Sequence, residues 1–409
     1  MPHQTHVAII GAGIGGLTAA LALLRAGVDV DVFEKASSFG DVGAGLQLSP
    51  NGTRCLFHLG LESEVMRLAA QPSGKEIRLW SNGRRWTLFD LGKDAVHRYG
   101  FPYLMMHRAD LHAVLVKAIE DIRPGTIHLQ RRYLAHHEHA HGVTLTLEGG
   151  AAMSFDALVA ADGVHSACRS SLFGGGAVPW FTGCMAWRGL VPLDALPARF
   201  AEPVGTNWVG PGAHVVTYPV RAGRLINFVG VVEREDWRTE SWTTRGTTEE
   251  CLQDFAGWHE DVQQLIRGIE QPYKWALLGR DPMDRWSLGR VTLLGDACHP
   301  MLPFLAQGAM MAIEDGVVLA RCLAASPHEP AAALLRYEQL RSARTARAVR
   351  GSAENARRFH DHTLAQEQGA AEYVDREWTP DKVHARYDWL FSYDALSVAV
   401  EPVADAALG

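Results

Sequence analysis

Three short turns carry the residues best suited to holding a large polar ligand: GAGIGG at 11–16, ADGVHSACR at 161–169 and LLGDACHP at 293–300. In the first, Gly11, Gly13 and Gly16 have the Gly-x-Gly-x-x-Gly spacing. Gly11 permits a tight turn, Gly13 leaves room for a pyrophosphate to approach the backbone, and Gly16 lets the following helix pack closely. The start of that helix offers unpaired N–H groups and partial positive charge to phosphates. Glu34, with Lys35 beside it, closes the next apolar run. Its carboxylate suits ribose hydroxyls, which argues for an adenosine ribose without a 2′-phosphate. The motif does not choose between FAD and NAD. In the third turn Asp296 and His299 interrupt an apolar stretch, and small residues follow. That is the pattern of a loop pressed against something large and polar.

A second group suits an aromatic ligand. His214 and Tyr218 lie four apart in an extended run. Period two puts both on one strand face together with Val216. A histidine and a tyrosine there suit a phenol, since either can bond the hydroxyl and help remove its proton. Arg188, in MAWRGL, either pairs a carboxylate or is structural. Arg108 opens a helix, where a cation faces the wrong end of the dipole; it serves a bound anion or is simply solvated.

The elements that must position these residues are readable in outline. Residues 7–10 predict a buried parallel strand, 15–25 a helix and 28–33 a second strand. Residues 107–119 predict a helix with Leu111, Val114, Leu115 and Ala118 inward, and 158–161 another strand. From 179 to about 274 the chain is rich in tryptophan and β-type residues broken by turns, the texture of a mostly antiparallel sheet. Residues 331–359 are helical. With 409 residues two domains are expected, the nucleotide domain discontinuous: 1–75, 100–178 and 275–400, against 76–99 and 179–274 for the substrate domain.

Composition narrows the classes. A net charge of −7 gives no overall electrostatic case for nucleic acid or membrane lipid. Arg341, Arg344, Arg347 and Arg350 recur every third residue and are read as a solvated helix face. The six cysteines are scattered, form no metal-ligand cluster and are read as reduced, buried hydrophobes of a cytoplasmic protein. Residues 7–24 lack charge, but their crowded glycines argue against a membrane span or signal peptide.

The three turns in this order resemble those of the single-component FAD-dependent aromatic hydroxylases, the group containing p-hydroxybenzoate and salicylate hydroxylases. HPMLPFLAQGAMMAIEDG and the late RYDWLFSYDA resemble more closely salicylate hydroxylase, 3-hydroxybenzoate 6-hydroxylase and 6-hydroxynicotinate 3-monooxygenase. The resemblance implies an α/β fold: a Rossmann-like, p-hydroxybenzoate hydroxylase-like FAD domain, an inserted and mainly antiparallel β substrate domain, and C-terminal helices. It implies that Asp296 bonds the ribitol chain of FAD, or else caps a helix. Pro300 and residues 302–308, including Gln307 and Gly308, would lie along the isoalloxazine. The helix from Ala309 would aim its N-terminus at the flavin's polar edge. Asp162 and Gly163 belong to a second fingerprint near the pyrophosphate and the nicotinamide path. Arg108 matches an arginine that touches the cofactor, and Gly45 also falls in the cofactor set. No second Gly-x-Gly-x-x-Gly follows a later strand, so NADH or NADPH is expected to bind transiently.

On the substrate side, the His214 and Tyr218 pair resembles one in 3-hydroxybenzoate 6-hydroxylase. Phe304 and Gln47 stand where the hydroxynicotinate enzymes have histidine, and Pro303 stands where the 3-hydroxybenzoate enzyme has glutamine. His299 is expected to organise its loop through a backbone hydrogen bond rather than to catalyse. The implied activity is hydroxylation of a phenolic aromatic acid by O2 through a flavin C4a-hydroperoxide, salicylate-like and possibly decarboxylative. The alternatives are a hydroxynicotinate, a larger bicyclic or antibiotic phenol, or a non-catalytic flavin-binding redox protein. A monomer or homodimer is expected.

Overall fold

The computed structural model describes residues 5–40, 44–150, 152–174, 179–234, 236 and 244–401. The stretch GDVGAGLQLSPNGTRCLFHLG at 40–60, whose sequence predicts a glycine-rich loop leading into a helix, includes 41–43, which lie outside the described residues.

The first sheet has six strands, in the order Ser287–Leu288, Val291–Leu293, Ala157–Ala160, His6–Ile10, Asp29–Phe33 and Ile127–His128. All neighbours are parallel except the Ser287–Leu288 hairpin. Continuous β-branched runs such as HVAII fit strands covered on both faces, and Val7 to Ile9 are fully buried. Four adjacent parallel strands end at Ile10, Phe33, Ala160 and Leu293. Their carboxyl ends share one edge, so topology brings together Gly11, Glu34, Asp162 and Asp296 from distant parts of the sequence. The Ile14–Arg25 helix lies between this sheet and the Gly308–Ala325 helix. Those helices cross so closely that a Cβ on Gly316 would lie 2.7 Å from the Ala19 nitrogen.

The second sheet has seven strands, in the order Tyr273–Gly279, Trp180–Pro192, Leu225–Glu233, Ala213–Val220, Val204–Gly210, Gly74–Leu79 and Arg85–Asp90. It is antiparallel apart from the pairing of Val204–Gly210 with Gly74–Leu79. One face packs Trp187, Trp208 and Phe228 with residues of the Thr248–Asp254 and Glu260–Arg267 helices. The other packs Ile77, Ala186, Tyr218 and Val231 with Leu302, Phe304 and the C-terminal helices. Between the sheets, Gly45–Leu48 pairs antiparallel with Leu104–His107.

The arginine row is not a solvated face. Arg341 is fully buried, with Nη1 2.7 Å from Glu314 and Nε 2.7 Å from Asp315. Arg344 is nearly as buried and also pairs Glu314 at 2.7 Å. Only Arg347 and Arg350 are exposed. Helix geometry is the reason: three residues turn about 300°, so an every-third row falls back about 60° per step and winds from inside to outside.

Burial alone would raise the Glu314 and Asp315 carboxyls. Arg344 and Arg341 overcome that for Glu314, and His299 and Arg341 for Asp315, holding both below the ordinary range. Carboxylates depressed on folding stabilise the fold above their unfolded pKa, and that contribution is lost as pH falls through the folded value. Thermal stability should therefore hold down to about pH 5 and fall steeply below about pH 4; a flat acid profile would contradict it. Arg341→Met leaves buried Glu314 with Arg344 alone and buried Asp315 with His299 alone, and denaturant unfolding should show a loss of about 3–5 kcal/mol. A loss under about 1 kcal/mol would mean that the network does not hold the helices together.

Candidate active site

At the shared edge, Gly11 has φ +102°, and a Cβ there would lie 2.4 Å from the Ala161 oxygen. The first turn is thus pressed against the second, and only glycine fits. A Cβ on Gly16 would lie 2.1 Å from the Gly11 oxygen, so the helix start closes on its own turn. Around Gly13 nothing lies within 4 Å, which leaves the open approach a pyrophosphate needs. Glu34 accepts from the amides of Ala12 and Ala36, each at 2.9 Å. It therefore fixes the turn, and its remaining lone pairs are free for ribose hydroxyls. Lys35 is exposed beside it. His112 Nε2 lies 2.8 Å from the Ala12 oxygen and braces the same turn.

In the second turn, Asp162 Oδ2 accepts from the amides of Ala167 and Cys168 at 2.9 and 3.3 Å, while Oδ1 is buried with no protein partner. Gly163, at φ +81°, has open space beside it. Arg169 donates to the oxygens of Val164 and Ala297, at 2.8 and 2.9 Å, clamping the second turn to the third. Asp296 is solvent-accessible, yet the surrounding protein raises its carboxyl against the opposing influence of His299 and Arg108. Arg108 is accessible in the same way; burial lowers its pKa and Asp296 partly restores it. Groups both reachable and desolvated line a cleft, and each of these two acts electrostatically on the other. The cleft fits an extended dinucleotide: open space at Gly13 and Gly163, an unpartnered Asp162 oxygen, and an acid and a cation further along.

The third turn leads to a loop along this cleft. Pro300 is half-buried, Pro303 exposed and Phe304 buried. Gly308 and Ala309 open the Gly308–Ala325 helix, which has no side-chain cap and no acid in its first turn, so its N–H groups remain available to a ligand. The Gln307 side chain is committed elsewhere. It donates to Ser49 Oγ at 2.9 Å and accepts from Asn51 at 3.1 Å. His299 does not bond the loop backbone through its ring. Its Nε2 lies 2.6 Å from Asp315 Oδ2, both residues being buried, because the Gly308–Ala325 helix carries that carboxylate directly against the turn.

On the second sheet, His214, Val216 and Tyr218 share a face, as period two requires. Four residues of strand span about 13 Å, so His214 and Tyr218 address two ends of a ligand rather than one hydroxyl. His214 Nδ1 lies 2.6 Å from His360 Nε2, and its ring meets the edge of Phe304 at 5.2 Å. Tyr218 lies over Gly45, where a Cβ would come 2.4 Å from the ring. The role of Gly45 here is to admit that ring, and its N–H donates to Asn227 at 2.7 Å. Gln47 Oε1 accepts from Tyr103 at 2.7 Å and from Lys75 at 3.1 Å. That oxygen is doubly engaged, and the Gln47 side chain also acts on Tyr218, lowering its hydroxyl against the larger effect of burial. Burial raises the Tyr218 and Tyr103 hydroxyls and lowers Lys75 to about 8. Arg188 is buried with its guanidinium over Tyr273 and Trp275, at 5.2 and 5.4 Å. Burial lowers its pKa, Tyr273 opposes that, and the Arg108 charge adds a smaller lowering.

Sequence reasoning missed Lys75, Tyr103 and His360. Lys75 left a usable signal: in GKEIRL it alternates with Ile77 and Leu79, so period two puts a lysine on an apolar face. Tyr103 and His360 left none, because their partners are remote in sequence.

Residues 4–352 match the family model described as FAD binding domain. The chain is 40% identical to 3-amino-4-hydroxybenzoate 2-monooxygenase of Streptomyces platensis, covering 97% of this chain and 98% of that protein. It is 36% identical to 6-hydroxynicotinate 3-monooxygenase of Pseudomonas fluorescens over the full length of both. Among solved structures, Klebsiella pneumoniae HpxO complexed with FAD and uric acid matches with a TM-score of 0.80, at 29% identity over 93% of this chain and 96% of that one.

Asp296→Ala should weaken FAD retention roughly 10- to 150-fold, the loss of about 1.5–3 kcal/mol expected for a hydrogen bond to a charged group. Flavin content after purification and dialysis measures it; wild-type content would remove Asp296 from the cofactor site.

Proposed function

The chain belongs to the FAD-binding-domain family and is an FAD-dependent aromatic monooxygenase, and from that premise we propose that it hydroxylates a phenolic aromatic acid of the hydroxybenzoate class at the expense of NAD(P)H. One observation carries the choice of an acid. Lys75 is buried on the face that holds Tyr218, its one hydrogen bond among the described residues is to Gln47, and no carboxylate pairs with it there. A buried cation without a counter-ion favours an anionic ligand. The same reading takes 1–75, 100–178 and 275–400 as the cofactor part and 76–99 with 179–274 as the substrate part.

When bound, reduced FAD supplies the activated oxygen. The chain's own residues set up the ring to receive it. Lys75 and Gln47 hold the carboxylate end, and Tyr218 donates a hydrogen bond there. His214, kept well below its usual pKa by burial and by His360, is neutral and accepts the hydroxyl proton. The resulting phenolate is electron-rich at the ring carbons. Phe304 and Leu302, both buried, exclude water above it. An amino-hydroxybenzoate is the first candidate, because the Streptomyces relative is named for one, and 6-hydroxynicotinate is the second. A cytoplasmic setting agrees with six cysteines that are all free and buried. Among the described residues no helix is long and apolar enough to cross a membrane.

The test is NADH and NADPH consumption with 3-amino-4-hydroxybenzoate, salicylate, 3- and 4-hydroxybenzoate and 6-hydroxynicotinate, with product, CO2 and hydrogen peroxide measured together. One acid should accelerate consumption and yield matching hydroxylated product. Background rates with all five would sink the reading. With the active acid, Lys75→Met should raise KM roughly 10- to 100-fold, the scale of a charge-assisted hydrogen bond, at normal flavin content.

A further inference from the structure

We propose that His214, His360 and Glu233 form a proton relay that carries the substrate's hydroxyl proton from the buried pocket to the protein surface; this rests on the hydroxylating role of the same site. His214 Nδ1 lies 2.6 Å from His360 Nε2, and His360 Nδ1 lies 3.1 Å from Glu233 Oε1. The two histidines are 2% and 4% exposed, whereas the Glu233 side chain is 48% exposed. The line therefore begins in the pocket and ends in water.

Its direction follows from which atoms can donate. A carboxylate only accepts, so His360 carries its proton on Nδ1. The Nε2 of a neutral His360 is then an acceptor, and His214 must donate to it from Nδ1. That leaves a lone pair on His214 Nε2, the form a general base requires. Glu233 is held below its ordinary pKa, first by its hydrogen bond to His360, and so stays an acceptor. His362 is the other titratable group whose neighbourhood lowers Glu233, and the buried thiol of Cys184 is raised in part by the Glu233 charge.

The transfer balances without an oxidant. The substrate O–H breaks and its electron pair stays on oxygen, while an N–H forms at His214 Nε2. The proton on His214 Nδ1 passes to His360 Nε2, and the one on His360 Nδ1 passes through Glu233 to water. The reverse passage reprotonates the product and restores both tautomers. The frame is fixed for this: Gly212 donates from its N–H to the His360 oxygen at 3.2 Å and accepts from the Glu233 N–H at 2.8 Å. Phe304 lies against both imidazoles, at 5.2 and 6.3 Å.

The test uses the holoenzyme with 3-amino-4-hydroxybenzoate as probe. Glu233→Gln and His360→Gln should lower kcat roughly 10- to 100-fold, leave KM and flavin content within about twofold, and displace the pH profile of kcat. Glu233→Asp should restore most of the rate. Unchanged kcat and pH profile in both variants overturn the relay. Nitrogen-15 spectra of histidine-labelled holoenzyme without substrate give an independent readout. The Nδ1-protonated tautomer is expected at His214, and its loss in Glu233→Gln. An Nε2-protonated His214 in the wild type overturns the relay whatever the substrate. The expected tautomer in an enzyme inert toward every acid tried counts against the substrate reading alone.

Discussion

The ion-pair cluster of Glu314, Asp315, Arg341 and Arg344 is the interaction on which the cofactor site depends. Two carboxylates and two guanidiniums, three of the four residues fully buried, balance in charge at the junction of the Gly308–Ala325 and Pro330–Phe359 helices. Each carboxylate also reaches outward. Asp315 takes the His299 ring and the Gly295 amide, at 2.6 and 3.3 Å, and so sets the third turn. Glu314 takes Asn51 at 2.6 Å, and Asn51 and Ser49 hold Gln307 at the helix start. Such a cluster adds little net stability over apolar packing, but it is expensive to leave incomplete. Its effect is to admit one register of the two helices, and with it one height for the loop that precedes Gly308.

Charge is arranged differently on the two sides of the ring position. Behind the loop the acids are neutralised within the protein. In front, on the face of the second sheet that holds Tyr218, the buried charged residues among those described are the cations Lys75 and Arg188, with Arg108 nearby. Both a phenolate and a reduced flavin gain negative charge during turnover, and fixed positive charge in a site shielded from water stabilises them. The Lys75 ammonium is held there by neutral groups, Gln47 and through it Tyr103, so it is oriented without its charge being cancelled.

Much of this was legible in the chain. The strand–turn–helix units at 11–25 and 161–169 follow from local pattern, as does the shared face of His214 and Tyr218. Their assembly on one edge does not, because it depends on a strand order that interleaves distant segments. The arginine row misled because spacing of three was taken as one face, whereas a helix rotates it through the interior. His299 misled because its partner lies 16 residues further on, in another element. Gly45 was read as a cofactor glycine, although the atoms beside it belong to Tyr218, far along the chain. In each case the local residue type was right for a close contact, and the partner came from tertiary structure.

Glu34 bears on how the protein meets its flavin. Its carboxylate is already fastened to the amides of Ala12 and Ala36, so the turn proposed to receive the adenosine end is shaped before any nucleotide arrives. Association then needs little ordering of the chain there, and the entropy of arranging that turn was already spent in folding. The heat-capacity change on flavin uptake should accordingly be small and set by the buried ring rather than by the adenosine end, the calorimetric signature of docking into a finished socket rather than of a segment that folds around its guest.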